Sequence, residues 1–202
     1  MQANDRAGRA VTVSGGEAQS GAYLLRILLA KSLSIRFGRL RNGEAIVLSA
    51  GEYLYVGSAM GQKGPSSLAR RLVRHATRRE GAPHAIRAAM LADFPRLGLG
   101  SGDLRLHRAK RLFWHVDYLL EPPQASLTHA LAVRSRTPLE LALAALLTAQ
   151  SYTSTPVQGF GASDTRDGTH LFAVAPVEGW WPAFLETAWR RCHSPASRPN
   201  TL

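Results

Sequence analysis

The fold of this chain is decided by residues 21–57, GAYLLRILLAKSLSIRFGRLRNGEAIVLSAGEYLYVG. Tyr23 to Ala30 is rich in residues that favour strands, although its leucines would also suit a helix. Leu33 to Phe37 alternates apolar and polar residues, as a half-buried strand does, and Asn42-Gly43 is a typical hairpin turn. Two further strands are predicted at Ala45 to Leu48 and Tyr53 to Val56. We therefore expect a small antiparallel sheet of three or more strands.

Helices are predicted after this sheet. Residues 65–67, Pro-Ser-Ser, have the composition of a helix start, and apolar residues follow at helical spacing. Thr137 and Glu140 form a predicted capping box for a helix that continues through Leu147. Strands are predicted at Leu112 to Leu120, Ala125 to Val133 and His170 to Val174, and a last helix at Trp180 to Arg191. Strands with helices packed on them make an α+β domain.

The chain divides into a leader, one domain and a tail. Residues 1–19 are polar and are expected to form a disordered leader, and residues 193–202 a disordered tail. Residues 20–192 are expected to form a single domain. An insertion is predicted near residues 81–108, where several glycines indicate a loose loop.

The composition excludes several classes of protein. A single cysteine, Cys192, allows neither an intramolecular disulfide framework nor a cysteine-rich zinc site. The longest apolar runs, Tyr23 to Ala30 and Leu139 to Ala149, are shorter than the roughly 20 residues that span a bilayer. The N-terminal segment lacks the apolar stretch of a secretory signal, so we expect a cytoplasmic protein.

Positive charge is concentrated in one part of the chain. Lysine and arginine number 25 against 14 acidic residues, a net charge of +11, and only three of the 25 are lysines. Residues 65–111 carry ten arginines and one lysine against three acidic residues, so that segment holds +8 of the total. A high-GC genome would also enrich arginine, but it would spread it evenly. The local basic field favours a polyanionic partner.

Four side chains suit phosphodiester chemistry: Tyr23, Tyr55, Arg71 and His75. Cleavage needs a group that deprotonates water and a cation that meets the charge growing on the phosphate. Arg71 and His75 lie four residues apart, so they project from the same face of the predicted helix. A solvated basic helix also explains this pair, and tyrosines in strands are commonly packing residues.

In order and spacing, three segments resemble the GIY-YIG nuclease superfamily: Gly-Ala-Tyr at 21–23, Tyr-Val-Gly-Ser-Ala at 55–59 and Arg-Leu-Val-Arg-His at 71–75. The segments at 114–120, 159–164 and 170–172 look like one branch of that superfamily, whose members occur alone or fused to endonuclease III, a DNA-repair glycosylase. The resemblance covers about residues 20–175. It implies a metal-dependent endonuclease that hydrolyses DNA in one step, with a function in DNA repair or processing.

The resemblance also implies a role for each residue. Tyr23 or Tyr55, more often Tyr23, would help to deprotonate the attacking water. Arg71 would bind the scissile phosphate, and His75 would orient a tyrosine or relay a proton. Glu140 would hold a single Mg²⁺ or Mn²⁺ ion. We expect the neighbouring cations to contact DNA: Lys63, Arg70, Arg74 and Arg78.

Some assignments stay open. Glu140 has a purely structural alternative as part of a capping box, and Glu121 is then the fallback ligand. His115 and Asp117 alternate along a predicted strand and would share a face, directed either into the cleft or into a hydrogen-bonded core. A hard metal ion has a further possible site at Asp164, Asp167 and His170.

Two other functions compete with the nuclease. A nucleic-acid-binding module without turnover predicts salt-sensitive binding and no metal-dependent cleavage. A protein-interaction or structural domain predicts no DNA binding at moderate salt.

Overall fold

The leucine-rich segment that begins at Gly21 forms the central strand of the protein, β2 (Gly21–Leu29), and not a helix. Its side chains are buried on both faces of a sheet, which explains why its apolar residues do not alternate with polar ones. The structure is a computed structural model that describes residues 8–105, 109–161 and 169–193. The other strands are β1 (Val11–Gly15), β3 (Leu33–Arg36), β4 (Ala45–Leu48), β5 (Gly51–Ala59), β6 (Ala125–Arg134), β7 (Thr153–Ser154) and β8 (Leu171–Val174).

The main sheet has six strands in the order β1-β6-β2-β5-β8-β7. Strand β1 is parallel to β6, and every other pair in this sheet is antiparallel. Strands β3 and β4 form a separate antiparallel hairpin. The α+β prediction is confirmed, although the sheet is larger than the predicted one and is mixed because β1 joins its edge.

Helices cover both faces of the main sheet. They are α1 (Leu68–His75), α2 (Ile86–Arg96), α3 (His115–Leu120), α4 (Glu140–Thr148) and α5 (Trp180–His193). Side chains of α1, α2 and α3 pack in one layer with Tyr23, Leu25 and the β3–β4 hairpin. Side chains of α4 and α5 pack in a second layer with Ala22 and Leu24. No helix in the described ranges is long and apolar enough to cross a membrane.

The prediction of a disordered leader over residues 1–19 is wrong for residues 11–15. These residues form β1, in which Val11 pairs with Ala130 and Ser14 with Val133. Residues 1–7 lie outside the described part of the chain, as do residues 194–202 of the predicted tail. The main sheet therefore begins before the segment that resembles a known family.

Two segments after α1 also differ from their predictions. The predicted insertion near residues 81–108 contains α2, where Ile86, Met90 and Phe94 recur at helical spacing and are buried. The predicted strand at Leu112 to Leu120 is instead the short helix α3. Asp117 begins it by accepting a hydrogen bond from the Trp114 backbone N–H at 3.1 Å, which is the local signal that overrides strand propensity.

The predicted capping box at Thr137 and Glu140 is wrong as well. Helix α4 begins at Glu140 with Leu139 at the N-cap position and no side-chain cap. The hydroxyl of Thr137 lies 2.9 Å from that of Ser135. The Glu140 carboxylate therefore does not cap the helix, and it contacts other side chains, including Ser58.

Candidate active site

Tyr23 and Tyr55 lie on the same face of the neighbouring strands β2 and β5. Tyr23 pairs directly with Gly57, and the two tyrosine ring centroids are 6.3 Å apart. A Cβ atom added to Gly57 would stand 2.5 Å from Cζ of Tyr23, far inside van der Waals contact. Glycine at position 57 therefore makes room for the Tyr23 phenol. Both tyrosines are almost fully buried, at 1% and 3% exposure.

A buried chain of hydrogen bonds runs from β2 through α1 to α3. The Tyr23 hydroxyl lies 2.9 Å from Nε2 of His75, and Nδ1 of His75 lies 3.2 Å from Oδ1 of Asp117. His75 and Asp117 are fully buried. An ionised carboxylate only accepts hydrogen bonds, so Nδ1 carries the proton and Nε2 is left to accept the Tyr23 hydroxyl. We call these three residues the Tyr–His–Asp chain.

Asp117 is the most heavily partnered carboxylate of the site. Nη1 of Arg74 lies 2.9 Å from both of its oxygens, and Nζ of Lys110 lies 3.6 Å from Oδ1. The backbone N–H groups of Phe113 and Trp114 donate to Oδ2 at 3.0 and 3.1 Å. Burial alone would raise the pKa of Asp117, but the hydrogen bond with His75 and the surrounding cations hold it well below its ordinary value. Asp117 is therefore ionised at neutral pH.

The other members of the chain are neutral at pH 7. Burial lowers the pKa of His75 to about 4, an effect that outweighs the hydrogen bond and charge of Asp117. Burial raises the pKa of Tyr23 well above its ordinary value, although the Arg71 guanidinium opposes that rise. Burial raises the pKa of Tyr55 in the same way. A neutral imidazole whose Nε2 is unprotonated can accept a hydrogen bond from the neutral Tyr23 phenol.

Arg71 lies beside this chain and is held by a ring. Its Cζ atom stands 3.7 Å from the ring centroid of Trp114, in cation–π contact. Its Nε is buried and has no hydrogen-bond partner among the described residues. Within the same ranges, no carboxylate forms an ion pair with its guanidinium. Arg71 therefore has unused capacity to bind an anion.

Glu140 approaches the site from the other layer, as the first residue of α4. The Ser58 hydroxyl donates to its Oε2, and Nδ1 of His170 lies 2.8 Å from its Oε1. Burial opposes ionisation, but the neighbouring His170 ring and the hydrogen bond from Ser58 lower the pKa of Glu140 below its ordinary value. Its charge acts on Arg71 and on both buried tyrosines. Tyr23, Tyr55, Arg71 and Glu140 therefore interact electrostatically. His75 joins them through its contact with the Tyr23 hydroxyl.

The donor atoms around Glu140 match one type of divalent-metal site and not another. Within the described residues there is no cluster of three or more His, Cys, Asp or Glu side chains that would enclose a metal. Mg²⁺ is commonly bound by one or two carboxylates, with substrate phosphates and water filling the other positions. The ionised Glu140 with the Ser58 hydroxyl fits that type of site, but not one in which the protein supplies most of the ligands.

Three of the four cations predicted to bind DNA are engaged with the protein itself. Arg70 donates to the carbonyl of Asp103 at 2.7 Å, and Arg74 is paired with Asp117. Arg78 donates to the carbonyls of Ala82 and Ala125 at 2.8 and 2.7 Å. Lys63 is exposed. Their contact with DNA stays a prediction.

His115 and Asp117 do not share a strand face, because both belong to α3. Asp117 points to His75, whereas Nδ1 of His115 accepts a hydrogen bond from the Gly161 N–H at 2.9 Å. Glu121, the fallback metal ligand, accepts the N–H groups of Arg79 and Glu80 at 2.6 and 3.0 Å. Asp164 and Asp167 lie outside the described residues.

Several contacts in the site were not predicted from the sequence, which offered His170 only as a possible metal ligand and Asp117 only as sharing a strand face with His115. They are Ser58 and His170 beside Glu140, Trp114 beneath Arg71, and Asp117 behind His75. The signal for Asp117 and Trp114 was present, because Trp114 stands three residues before Asp117. If the segment is a helix, a carboxylate at the third helical position can accept the backbone N–H of the N-cap residue. Because the segment was predicted to be a strand, this contact was not considered.

Comparison with known proteins adds a family. No curated protein matches the chain, and no solved structure matches it. One family model, described as "Domain of unknown function DUF123", matches residues 22–188. That segment runs from β2 to α5 and includes every residue of the site described above. Since it covers most of the 202 residues, the chain belongs to the DUF123 family.

Proposed function

We propose that this protein is a metal-dependent endonuclease of GIY-YIG type that hydrolyses DNA phosphodiester bonds during DNA repair or processing in the cytoplasm. The observation that carries the proposal is Arg71, an arginine that forms no ion pair with a carboxylate among the described residues, set beside the Tyr–His–Asp chain. A guanidinium that is not held in an ion pair is suited to bind a phosphate. A phenol connected to a neutral imidazole is suited to proton removal.

The proton path follows from the hydrogen bonds. As water attacks phosphorus, the water gives a proton to the Tyr23 oxygen, and Tyr23 passes its own proton to Nε2 of His75. The new P–O bond forms as the bond to the leaving oxygen breaks. Asp117 stabilises the imidazolium and keeps the proton of Nδ1 in place. This relay removes the need for free phenolate, which the raised pKa of Tyr23 disfavours.

Arg71 meets the charge that develops on the phosphoryl oxygens. Its stacking on Trp114 fixes the guanidinium plane before substrate arrives, so little ordering remains to be done during reaction. Glu140 would hold the Mg²⁺ or Mn²⁺ ion, which supplies positive charge that stabilises the leaving oxygen. Ser58 and His170 orient the Glu140 carboxylate.

The test is a cleavage assay with nicked, branched and continuous duplex DNA in the presence of Mg²⁺. Arg71→Ala and Glu140→Ala are compared with Arg190→Ala, an exposed arginine on α5 that provides the matched loss of charge. We expect the first two variants to lose about 100-fold or more in rate and the third to cleave like the unmodified protein. Equal cleavage by all four proteins, or none by any of them, contradicts the proposal.

A nucleic-acid-binding module without turnover is the second candidate. It is favoured by the burial of Tyr23, which has 1% exposure. This candidate predicts DNA binding that weakens with salt, with a slope of about 0.9 per neutralised phosphate on a log–log plot. It also predicts no product with any metal ion, which separates it from the nuclease.

A further inference from the structure

Phe113 is an exposed aromatic side chain at the rim of the candidate site. It is 76% exposed, and among the described residues it is the one aromatic in the set of exposed large hydrophobic side chains. Its ring contacts Trp114, with centroids 5.1 Å apart and planes at 75°. At this exposure most of the apolar surface of the ring is open to a ligand, and burying that surface would be favourable.

The backbone at Phe113 is fixed although its side chain is open to solvent. Its N–H donates to Oδ2 of Asp117 at 3.0 Å, and the following N–H, of Trp114, donates to the same oxygen. Asp117 is itself fully buried and paired with Arg74. The exposed ring is therefore presented from a rigid turn, which reduces the entropy lost when a ligand stacks on it.

The surroundings of Phe113 are cationic. Trp114, the ring that Phe113 contacts, also carries the guanidinium of Arg71 at 3.7 Å and that of Arg74 at 4.4 Å. Arg111, two residues before Phe113, is exposed. The Trp114 ring therefore lies between the exposed ring of Phe113 and the guanidinium of Arg71, the residue proposed to bind the scissile phosphate. An aromatic ring within a positive field is complementary to a nucleotide, which joins a flat apolar base to an anionic phosphate.

We propose that Phe113 is the stacking platform for an unpaired nucleobase next to the phosphate held by Arg71. Inside a continuous duplex each base is stacked on both sides, and exposing one costs a few kcal/mol. Single-stranded stretches, flaps and branch points offer such a base without that cost. The substrate class is therefore DNA with an unstacked base beside the cleaved bond, and this inference rests on the proposed function through the role of Arg71.

The test measures binding without metal, so that cleavage plays no part. The full-length protein is titrated into a single-stranded oligonucleotide that carries the fluorescent base 2-aminopurine, and into a duplex of the same sequence. Phe113→Ala is compared with Phe113→Trp, which keeps a stacking face. The matched control is Leu141→Ala, which removes another exposed apolar side chain, 68% exposed, from α4. Circular dichroism checks that each variant is folded.

We expect Phe113→Ala to bind the single strand about tenfold more weakly, the loss of one stacked base, and to lose part of the fluorescence quenching. Phe113→Trp and Leu141→Ala should retain the affinity, and the duplex should discriminate little between the variants. Wild-type affinity and quenching in Phe113→Ala overturn this inference. A change in oligomeric state for Phe113→Ala, measured by sedimentation, also overturns it, because the ring would then serve a protein contact.

Arg71→Ala separates failure of this inference from failure of the proposed function. If Arg71→Ala weakens binding while Phe113→Ala does not, the phosphate site stands and the stacking platform is wrong. If the unmodified protein binds neither oligonucleotide at low salt, the stacking platform and the proposed function both fail.

Discussion

Arg26 and Arg71 both lie over tryptophan rings, but within the described residues only Arg26 forms an ion pair with a carboxylate. On the α5 side of the sheet, the guanidinium of Arg26 stands 4.9 Å from the ring of Trp180 and pairs with Glu52, which also accepts the Trp180 indole N–H at 2.9 Å. On the α1 side, Arg71 stacks on Trp114 and has no carboxylate partner within the described ranges. An arginine stacked on a tryptophan therefore belongs to an ion-paired cluster at Arg26, whereas at Arg71 the stacked guanidinium has no such ion pair in the described part of the chain.

The difference lies in where the carboxylate is placed. Glu52 faces its arginine directly, whereas Asp117 in the second cluster faces His75, Arg74 and Lys110. The Asp117 carboxylate contacts the His75 imidazole and orients it, and it does not form an ion pair with Arg71. In one region the arginine and the carboxylate pair with each other, and in the other an arginine without an ion pair among the described residues lies beside the Tyr–His–Asp chain.

The largest effect is expected from removing the two stacked arginines in turn. Arg71→Ala should lower the cleavage rate by about 100-fold or more, since it removes charge stabilisation in the transition state. Arg26→Ala should leave the rate unchanged and lower the free energy of unfolding by about 1 kcal/mol, since its ion pair is partly exposed. Steady-state cleavage assays and urea unfolding measure both quantities. Equal rate losses in the two variants would remove the distinction between the clusters.

Neutralising the two carboxylates should affect stability unequally. Asp117→Asn leaves Lys110 and Arg74 without their buried counter-charge and should lower the free energy of unfolding by about 3–5 kcal/mol. Glu52→Gln, in a pair whose side chains are 28% and 20% exposed, should cost about 1 kcal/mol or less. Chemical unfolding curves compare them. A smaller loss for Asp117→Asn than for Glu52→Gln would contradict the structural comparison.

A methyl group at Gly57 tests the same cluster from the strand side. Gly57→Ala should push the Tyr23 phenol out of its position, break the contact with His75, and lower both the rate and, by about 1–3 kcal/mol, the free energy of unfolding. Gly16→Ala is the control, because a Cβ at Gly16 meets nothing within 4 Å. Rate and unfolding midpoint are measured for both. An unchanged rate in Gly57→Ala would mean that the tyrosine position is not critical.

The smallest effect concerns pH. His75 and His84 both have a pKa lowered to about 4 by burial, so between pH 6.5 and 4 the unfolded chain takes up protons that the folded protein excludes. Stability should therefore fall as pH decreases, by about 1 kcal/mol for each histidine between pH 7 and 5.5. Unfolding of His75→Asn at the two pH values should show a loss about 1 kcal/mol smaller than that of the wild type. If His75→Asn lost as much unfolding free energy as the wild type between the two pH values, groups other than His75 would cause the pH dependence.

Much of this arrangement could be predicted from the sequence, because its signals are local. The hairpin followed from alternation and an Asn-Gly turn, and α1 followed from apolar spacing after a helix start. Residues 11–15 could not be assigned, since a five-residue edge strand is defined by its pairing with β6 more than 100 positions away. The helix at residues 115–120 was hidden because its aromatic and β-branched residues favour strands.

The sequence named the residues of the candidate site but not the contacts that connect them. Tyr23, Tyr55, Arg71 and His75 were named from residue type and spacing, and Glu140 from the family resemblance; these five lie in one region of the structure. The orientation of His75 by Asp117 depends on a helix that the sequence pattern disguised. The engagement of Arg70, Arg74 and Arg78 by protein groups depends on loops and side chains distant in sequence.

The parallel strand β1 has a practical consequence for anyone who expresses this domain. The family match starts at residue 22, and a truncation made there would delete β1 and strip the outer edge of β6 of its hydrogen-bond partners. An unpaired strand edge can form hydrogen bonds with strands of other protein molecules, and the truncated protein would then aggregate. Recombinant versions should start ahead of residue 10, and an affinity tag should be separated from Val11 by a spacer. Strand β1 can then keep its pairing with β6.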